Sequence, residues 1–243
     1  MTNEARAVPR SRARRLGKFA RLAGGVAGSM LAEGVKQVSS GNRPRAKDLL
    51  LTASNARRLT KQLSEMRGAA MKLGQILSMD SGDFLPKELA DILATMRSQA
   101  FTMPEKQLQE MLNQAYGEDY LRNLKDFDVQ PFAAASIGQV HRLTARDGRA
   151  AVLKIQYPGV RESIDSDVNN LATLLRLSGL LPKHIDLKPL LAEIKDQLRD
   201  EADYEQEAKY LNAFVRALGD DDRFMLPRVI PSLTTDRILA MTF

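Results

Sequence analysis

A change of hydrophobic period near Leu124 constrains this chain more than any other feature. Upstream, between 47 and 79, apolar side chains fall at Ala56, Leu59, Leu63, Met66, Ala70, Leu73 and Leu77, in alternating steps of three and four residues. That spacing lines one side of a long helix. Downstream, Phe127, Val129, Phe132, Val140, Leu143, Val152 and Ile155 sit in short runs, broken by a small-residue stretch and by Arg146, Asp147 and Gly148. Runs of this kind suit three antiparallel strands, and Asp-Gly favours the turn between two of them. The fold class is therefore α+β.

Punctuation divides the rest of the chain. Gly82 and Pro86 end the long helix, a shorter one is expected at 87–96, and another runs from Pro104 to Tyr116, where Gly117 stops it. Pro158 and Gly159 close the third strand, helical patterns follow at 160–177 and 187–218, and β-like segments at 228–231 and 237–241 finish the chain. Three regions result: 1–44, a basic arm with a short apolar helix; 45–120, a helical extension; and 121–243, the sheet-bearing part.

Charge and composition exclude several functions. Lysine and arginine number 36 against 30 acids, a net charge of +6, yet residues 1–21 hold seven basic residues and one acid, leaving the rest of the chain neutral. A nucleic-acid-binding body would carry its own basic face, so no nucleic-acid partner is expected, and an anionic partner would meet the arm. The apolar run 22–32 is too short to cross a bilayer but suits a helix lying on one, or a mitochondrial transit peptide. The absence of cysteine rules out disulfides, thiolate zinc sites and a cysteine nucleophile. With two histidines, no metal ligand is assigned.

Three strands with a lysine in the third, then a helix bearing a glutamate, then two more strands, is the order of a protein-kinase-like small lobe. Ala151-Val-Leu-Lys154 resembles the strand whose lysine holds nucleotide phosphates, although a strand ending in lysine is common and its ammonium ordinarily reaches solvent. The loop from Phe132 to Gln139 is built of small residues where such a lobe has a glycine-rich loop. Alanine permits close approach to a phosphate but lacks the backbone freedom of glycine, so this loop should be stiffer. When 187–218 is projected as one helix at about 100° per residue, Glu201 falls inside the apolar stripe of Leu191, Ile194, Leu198, Tyr204, Ala208, Leu211 and Val215. A carboxylate placed there is partly desolvated and needs a cation. Glu207 lies about a third of a turn away in that projection, at the stripe's edge, so the two acids address different partners. In the long helix, Lys72, Gln75 and Met79 share a face with Gly68, away from the Leu73 seam. By themselves they read as a solvated face, but Gly68 and Gly74 would let another element come close.

Four segments occur together and in order: Met71-Lys-Leu-Gly-Gln-Ile-Leu-Ser78, Ala133-Ala-Ala-Ser-Ile-Gly-Gln-Val-His141, Ala151-Val-Leu-Lys-Ile-Gln-Tyr-Pro-Gly159 and Glu201-Ala-Asp-Tyr-Glu-Gln-Glu-Ala208. Together they resemble the UbiB/AarF family of atypical kinases, which supports ubiquinone biosynthesis, over nearly the whole chain from about residue 20. The resemblance implies that Lys72 and Gln75 form the K-x-G-Q motif of a helical extension covering the cleft. It makes Ala133, Ala134 and Ala135 an alanine-rich loop continued by Ser136, Ile137, Gly138 and Gln139, and Lys154 the phosphate-binding lysine paired with Glu207. Glu201 and Asp203 become an E-x-D motif facing Lys72, which supplies the cation Glu201 needs. Met241 would be the gatekeeper, with Thr242 and Phe243 opening the adenine-contacting hinge.

The implied cofactors are ATP and Mg²⁺, with the metal ligands expected in a large lobe. That lobe's aspartates and asparagine have no counterparts here. His184-Ile-Asp186 precedes the glutamate helix and Asp83-Phe84 precedes the strands, so both are decoys. The expectation is an N-terminal portion of a UbiB-type ATPase, ending at the hinge and not catalytic by itself. Its implied partners are membrane lipid or an isoprenoid quinone precursor and the proteins of ubiquinone biosynthesis. Its expected place is the cytoplasmic face of an inner membrane or, alternatively, the mitochondrial matrix. A non-enzymatic membrane module and an ordinary protein kinase are the competing readings.

Overall fold

In the computed structural model of the chain, the described residues are 67–79, 102–122, 124–177, 186–219 and 221–243, with ten scattered positions between 17 and 40. The elements are α1 (Arg67–Met79), α2 (Glu105–Tyr116), β1 (Ala133–Ala134), β2 (Gly138–Thr144), β3 (Ala150–Gln156), α3 (Val160–Leu177), α4 (Lys188–Glu201), α5 (Tyr204–Leu218) and β4 (Ile238–Thr242). The helix expected at 87–96 and the first part of that expected over 47–79 lie outside the described residues. Most of the described positions between 17 and 39 are helical, and no helix among the described residues is long and apolar enough to cross a membrane.

The chain forms two compact units, Ala100–Arg161 with Arg199–Phe243, and Pro9–Gln99 with Glu162–Leu198. The first holds a four-stranded antiparallel sheet in the order β1-β2-β3-β4. Side chains alternate across a strand, so the register sorts the sheet into two faces. On one, Leu143, Ala151, Leu153, Ile155, Ile238 and Ala240 form a buried core with Leu108, Met111 and Leu112 of α2. The i, i+3, i+4 spacing of those three α2 residues gives the helix its apolar stripe. On the other face, Val140, Lys154 and Leu239 stand in one row and Arg142, Val152 and Met241 in the next.

Two expected strands are curtailed. Only Ala133–Ala134 pairs as a regular first strand. Its approach follows β2 through a Lys125–Thr144 bridge and bonds from the Asp128 and Phe132 amides. Asp126 at φ 50°, an Asp128 side chain that accepts from the Gln130 amide, and Pro131 break the ladder between those points. The β-like segment 228–231 is reduced to a bridge between Val229 and Met241, with a 3₁₀ turn at Pro231–Leu233.

The helix expected over 187–218 is two helices. Asp203 caps α5, its carboxylate accepting from the Gln206 amide at 3.0 Å. The Ala202 carbonyl at the end of α4 accepts instead from the Gln156 side chain at 3.0 Å, in a buried contact. Of the carbonyls and amides that a helix break frees, the Ala202 carbonyl and the Gln206 amide therefore have side-chain partners, and the sheet itself supplies one of them.

In the second unit, Gly68, Ala69, Ala70 and Leu73 of α1 are buried, as are Ile164, Val168 and Leu171 of α3 and Ile194 and Leu198 of α4. Lys195 of α4 lies 3.7 Å from Asp165 of α3.

Candidate functional site

Strand β3 delivers Lys154 to the open face of the sheet, and its Nζ donates to both carboxylate oxygens of Glu207, at 2.7 Å each. Helix α5 positions that carboxylate one turn beyond its Asp203 cap. The lysine side chain is 15% exposed and the glutamate 36%, so the pair is partly withdrawn from water. Because one carboxylate holds the ammonium, its charge is fixed in place on the sheet.

Glu201 meets a different partner. The Ser136 hydroxyl, at the tip of the β1–β2 turn, donates to its Oε1. Since α4 and α5 are separate helices, the continuous projection of Glu201 and Glu207 does not apply, yet the two acids still serve separate neighbours. Asp203 is the N-cap of α5. Lys72 is half-buried and Gln75 exposed, both on α1 of the second unit.

The small-residue segment is divided among several tasks. Ala133 and Ala134 are strand, and the Ala135 amide donates to the Gly138 carbonyl across the turn. Ile137 is buried, and its carbonyl accepts from the Tyr157 amide at 2.8 Å. A Cβ at Gly138 would lie 2.5 Å from the Ile155 carbonyl oxygen, which is why the chain needs glycine there. The Gln139 side chain belongs to the core: its Oε1 accepts from the Met103 amide at 2.8 Å and its Nε2 is 2.8 Å from His141 Nε2. His141 Nδ1 is in turn 2.9 Å from the Asp128 carbonyl. The amide of Gln139 donates to Nε2 and the imidazole donates from Nδ1, a neutral tautomer. Burial holds the His141 pKa below the ordinary value of 6.5, against the opposing Asp128 carbonyl. By register, then, Gln139 lies on the face opposite Lys154.

Of the three hinge-side residues, Met241 shares the Lys154 face by register. Thr242 is turned the other way, its hydroxyl accepting from the Arg228 amide. Phe243 is exposed, with its ring 5.4 Å from Phe132 edge to face and the Arg142 guanidinium over both rings. Sequence reasoning missed Arg142 and Gln156 and placed Tyr204 only as one residue of an apolar stripe. No local signal marks Gln156 as a helix-end partner, because that contact joins residues 46 apart in sequence.

Among the described residues no group of three or more histidine, aspartate or glutamate side chains could hold a metal ion. On this face positive charge comes from the Lys154 ammonium and, in the next row, from the Arg142 guanidinium that lies over Phe132 and Phe243. A ligand bearing phosphates on this face would meet that ammonium and, beside it, the apolar surface of Val140, Val152 and Met241.

An antiparallel sheet presenting a lysine from its third strand to a glutamate on the helix behind it defines a kinase-type small lobe. The ABC1 atypical kinase-like domain matches residues 95–243, and the chain belongs to that family, the UbiB/AarF atypical kinases. It is 44% identical over 241 residues to "Atypical kinase COQ8, mitochondrial" of Saccharomyces cerevisiae, covering 99% of this chain and 48% of that protein. Against "Atypical kinase COQ8B, mitochondrial" of Rattus norvegicus it is 39% identical over 238 residues, or 97% and 45% of the two chains. "Probable protein kinase UbiB" of Xylella fastidiosa is 30% identical over 201 residues, or 82% and 36%. A solved Mycobacterium tuberculosis protein, Rv3197 in complex with erythromycin, aligns with TM-score 0.47 and 28% identity over 78% of this chain and 48% of that one. The chain spans about half or less of the length of these curated relatives.

Proposed function

We propose that the chain is the N-terminal portion of an ATP-binding atypical kinase of ubiquinone biosynthesis, and that its sheet holds the nucleotide phosphates on Lys154. The observation that carries this reading is the 2.7 Å contact of Lys154 Nζ with both oxygens of Glu207. An ammonium oriented in this way can stabilise charge on a phosphoryl group, and the small residues of the β1–β2 turn permit the backbone to approach it. Lys72 and Gln75 of the K-x-G-Q motif would cover the cleft, with Lys72 facing Glu201 and Asp203. Met241, Thr242 and Phe243 would border the base, Thr242 through its backbone.

The relatives named mitochondrial match at 37–44% identity, against 30% for the bacterial ones. That favours a place in mitochondria, at the matrix side of the inner membrane, where an isoprenoid quinone precursor and the basic arm would both meet lipid. The Mg²⁺ that such an enzyme uses would supply charge neutralisation at the phosphates, with its ligands outside the set described above.

Isothermal titration of the purified 243-residue chain with ATP and magnesium tests the reading. Saturable binding that Lys154→Ala weakens at least tenfold is expected, with no hydrolysis, because the catalytic-loop and D-F-G-type residues have no counterparts here. Unaltered affinity in Lys154→Ala would overturn the phosphate role. Hydrolysis abolished by Lys154→Ala would overturn the expectation that these residues do not act alone.

A further inference from the structure

Tyr204 is fully buried, and the Lys154 ammonium lies 4.9 Å from its ring centroid. It is the first residue of α5, so Glu207 follows three positions later, on the same side of the helix and one turn along. The ring and the carboxylate therefore reach the ammonium from one rigid element. We propose that Tyr204 is a positioning residue, its buried aromatic face forming the floor on which the Lys154 ammonium is held against Glu207. This rests on the nucleotide reading above only for its consequence in ligand binding; the placement of the ammonium stands on the geometry.

Three further features fix the backbone that carries the ring and bound the space around it. The Asp203 cap fixes the start of α5. The Gln156 side chain, two residues beyond Lys154 on the same strand, ties β3 to the α4–α5 break. At the far end of the ring, a Cβ on Gly138 would lie only 3.0 Å from the Tyr204 hydroxyl oxygen. That hydroxyl finds no hydrogen-bond partner among the described residues, although a buried hydroxyl ordinarily has one. A side chain retained for its hydroxyl would be poorly served here. Burial, together with the charges of Glu207 and Glu201, raises the phenol's pKa well above 10, so the ring stays neutral.

The ring answers a specific need. An ammonium withdrawn from water loses solvation that one carboxylate restores only in part, and the negative face of an aromatic ring supplies attraction from a second direction. A lysine stem has four rotatable carbons. Without that floor the amine would leave Glu207 more often.

Replacing Tyr204 with mono-, di- and trifluorinated phenylalanine drains the negative face of the ring in steps while keeping its shape. The first readout needs no nucleotide: the rate at which Lys154 is acylated by a water-soluble N-hydroxysuccinimide ester, followed by peptide mass spectrometry. The second is ATP affinity in the presence of magnesium. Tyr204→Phe should match the natural chain within twofold in both readouts. Stepwise fluorination should raise the Lys154 acylation rate, by between about twofold and thirtyfold in total, and weaken ATP in the same order, with Tyr204→Leu at the far end of the series. Acylation independent of fluorine content in the folded variants would overturn the proposal, as would a Tyr204→Phe variant as impaired as Tyr204→Leu. If acylation follows fluorination while no variant binds ATP, the positioning role holds and the nucleotide reading fails.

Discussion

The two faces of the sheet are built to different rules. Towards α2, the strand positions from Leu143 through Leu153 to Ala240 are apolar and buried; of the three polar exceptions, Thr242 accepts from the Arg228 amide, while Gln139 and His141 satisfy each other, the Met103 amide and the Asp128 carbonyl. Towards α5, the same strands carry Lys154 and Arg142 among apolar side chains of which Val152 and Leu239 are buried and Val140 and Met241 half-buried, with the ammonium held by the Glu207 carboxylate. One face is closed in both packing and hydrogen bonding. The other holds a charge beside half-buried apolar side chains, an arrangement with little value for stability and, on the function proposed above, a use in holding an anionic ligand. The difference suggests that stability and chemistry can be altered separately on residues one position apart in β3.

Leu153→Ala offers the largest test of that separation. Removing a fully buried side chain from the α2 face should cost about 2–5 kcal/mol, read by urea denaturation, while the folded fraction retains its nucleotide affinity. Loss of affinity without loss of stability would merge the two faces. Gly138→Ala should cost about 1–3 kcal/mol, because the new methyl meets the Ile155 carbonyl, a backbone atom that cannot give way cheaply. A neutral result would mean that the β1–β2 turn is free to lift off β3.

The smallest effect expected is in pH dependence. With its folded pKa below the ordinary 6.5, His141 binds a proton more readily in the unfolded chain. Its contribution to stability is complete above pH 6.5 and declines as the pH falls towards the folded value. A protonated Nε2 would face the Gln139 amide donor, which cannot turn without losing the Met103 amide. The urea midpoint of the natural chain should therefore drop further between pH 7.5 and 5.5 than that of His141→Gln. Equal slopes would show that the imidazole carries no such burden.

Much of this was legible in the sequence wherever the information is local. The limits of α2 follow from Pro104 and Gly117, the β2–β3 turn from Asp147 and Gly148, and the Lys154 strand from three apolar residues ending on a charge. The resemblance paired Lys154 with Glu207, residues 53 apart. Periodicity failed where a tertiary partner decided the outcome. The helical spacing of apolar residues carries on from Leu198 to Tyr204 across Ala202 and Asp203, and the helix breaks there because Asp203 caps one segment while a glutamine from the sheet takes the carbonyl of the other. Projection marked Glu201 as an acid in need of a partner, but it could not show that one such partner is the Ser136 hydroxyl, from a turn whose residues looked interchangeable. Nor does the sequence show that Ile137 is buried or that the Gln139 side chain bonds the Met103 amide, since burial of a turn depends on what lies beneath it.

The account stands most directly on the coupling between Lys154 and Glu207. A double-mutant cycle in ATP affinity, using Lys154→Ala, Glu207→Gln and the pair together, measures it. The prediction is that each single change weakens binding at least tenfold and that the double variant is no weaker than the poorer single one, because both disable one oriented ammonium. Losses that multiply, or a Glu207→Gln variant that binds as the natural chain does, would contradict it.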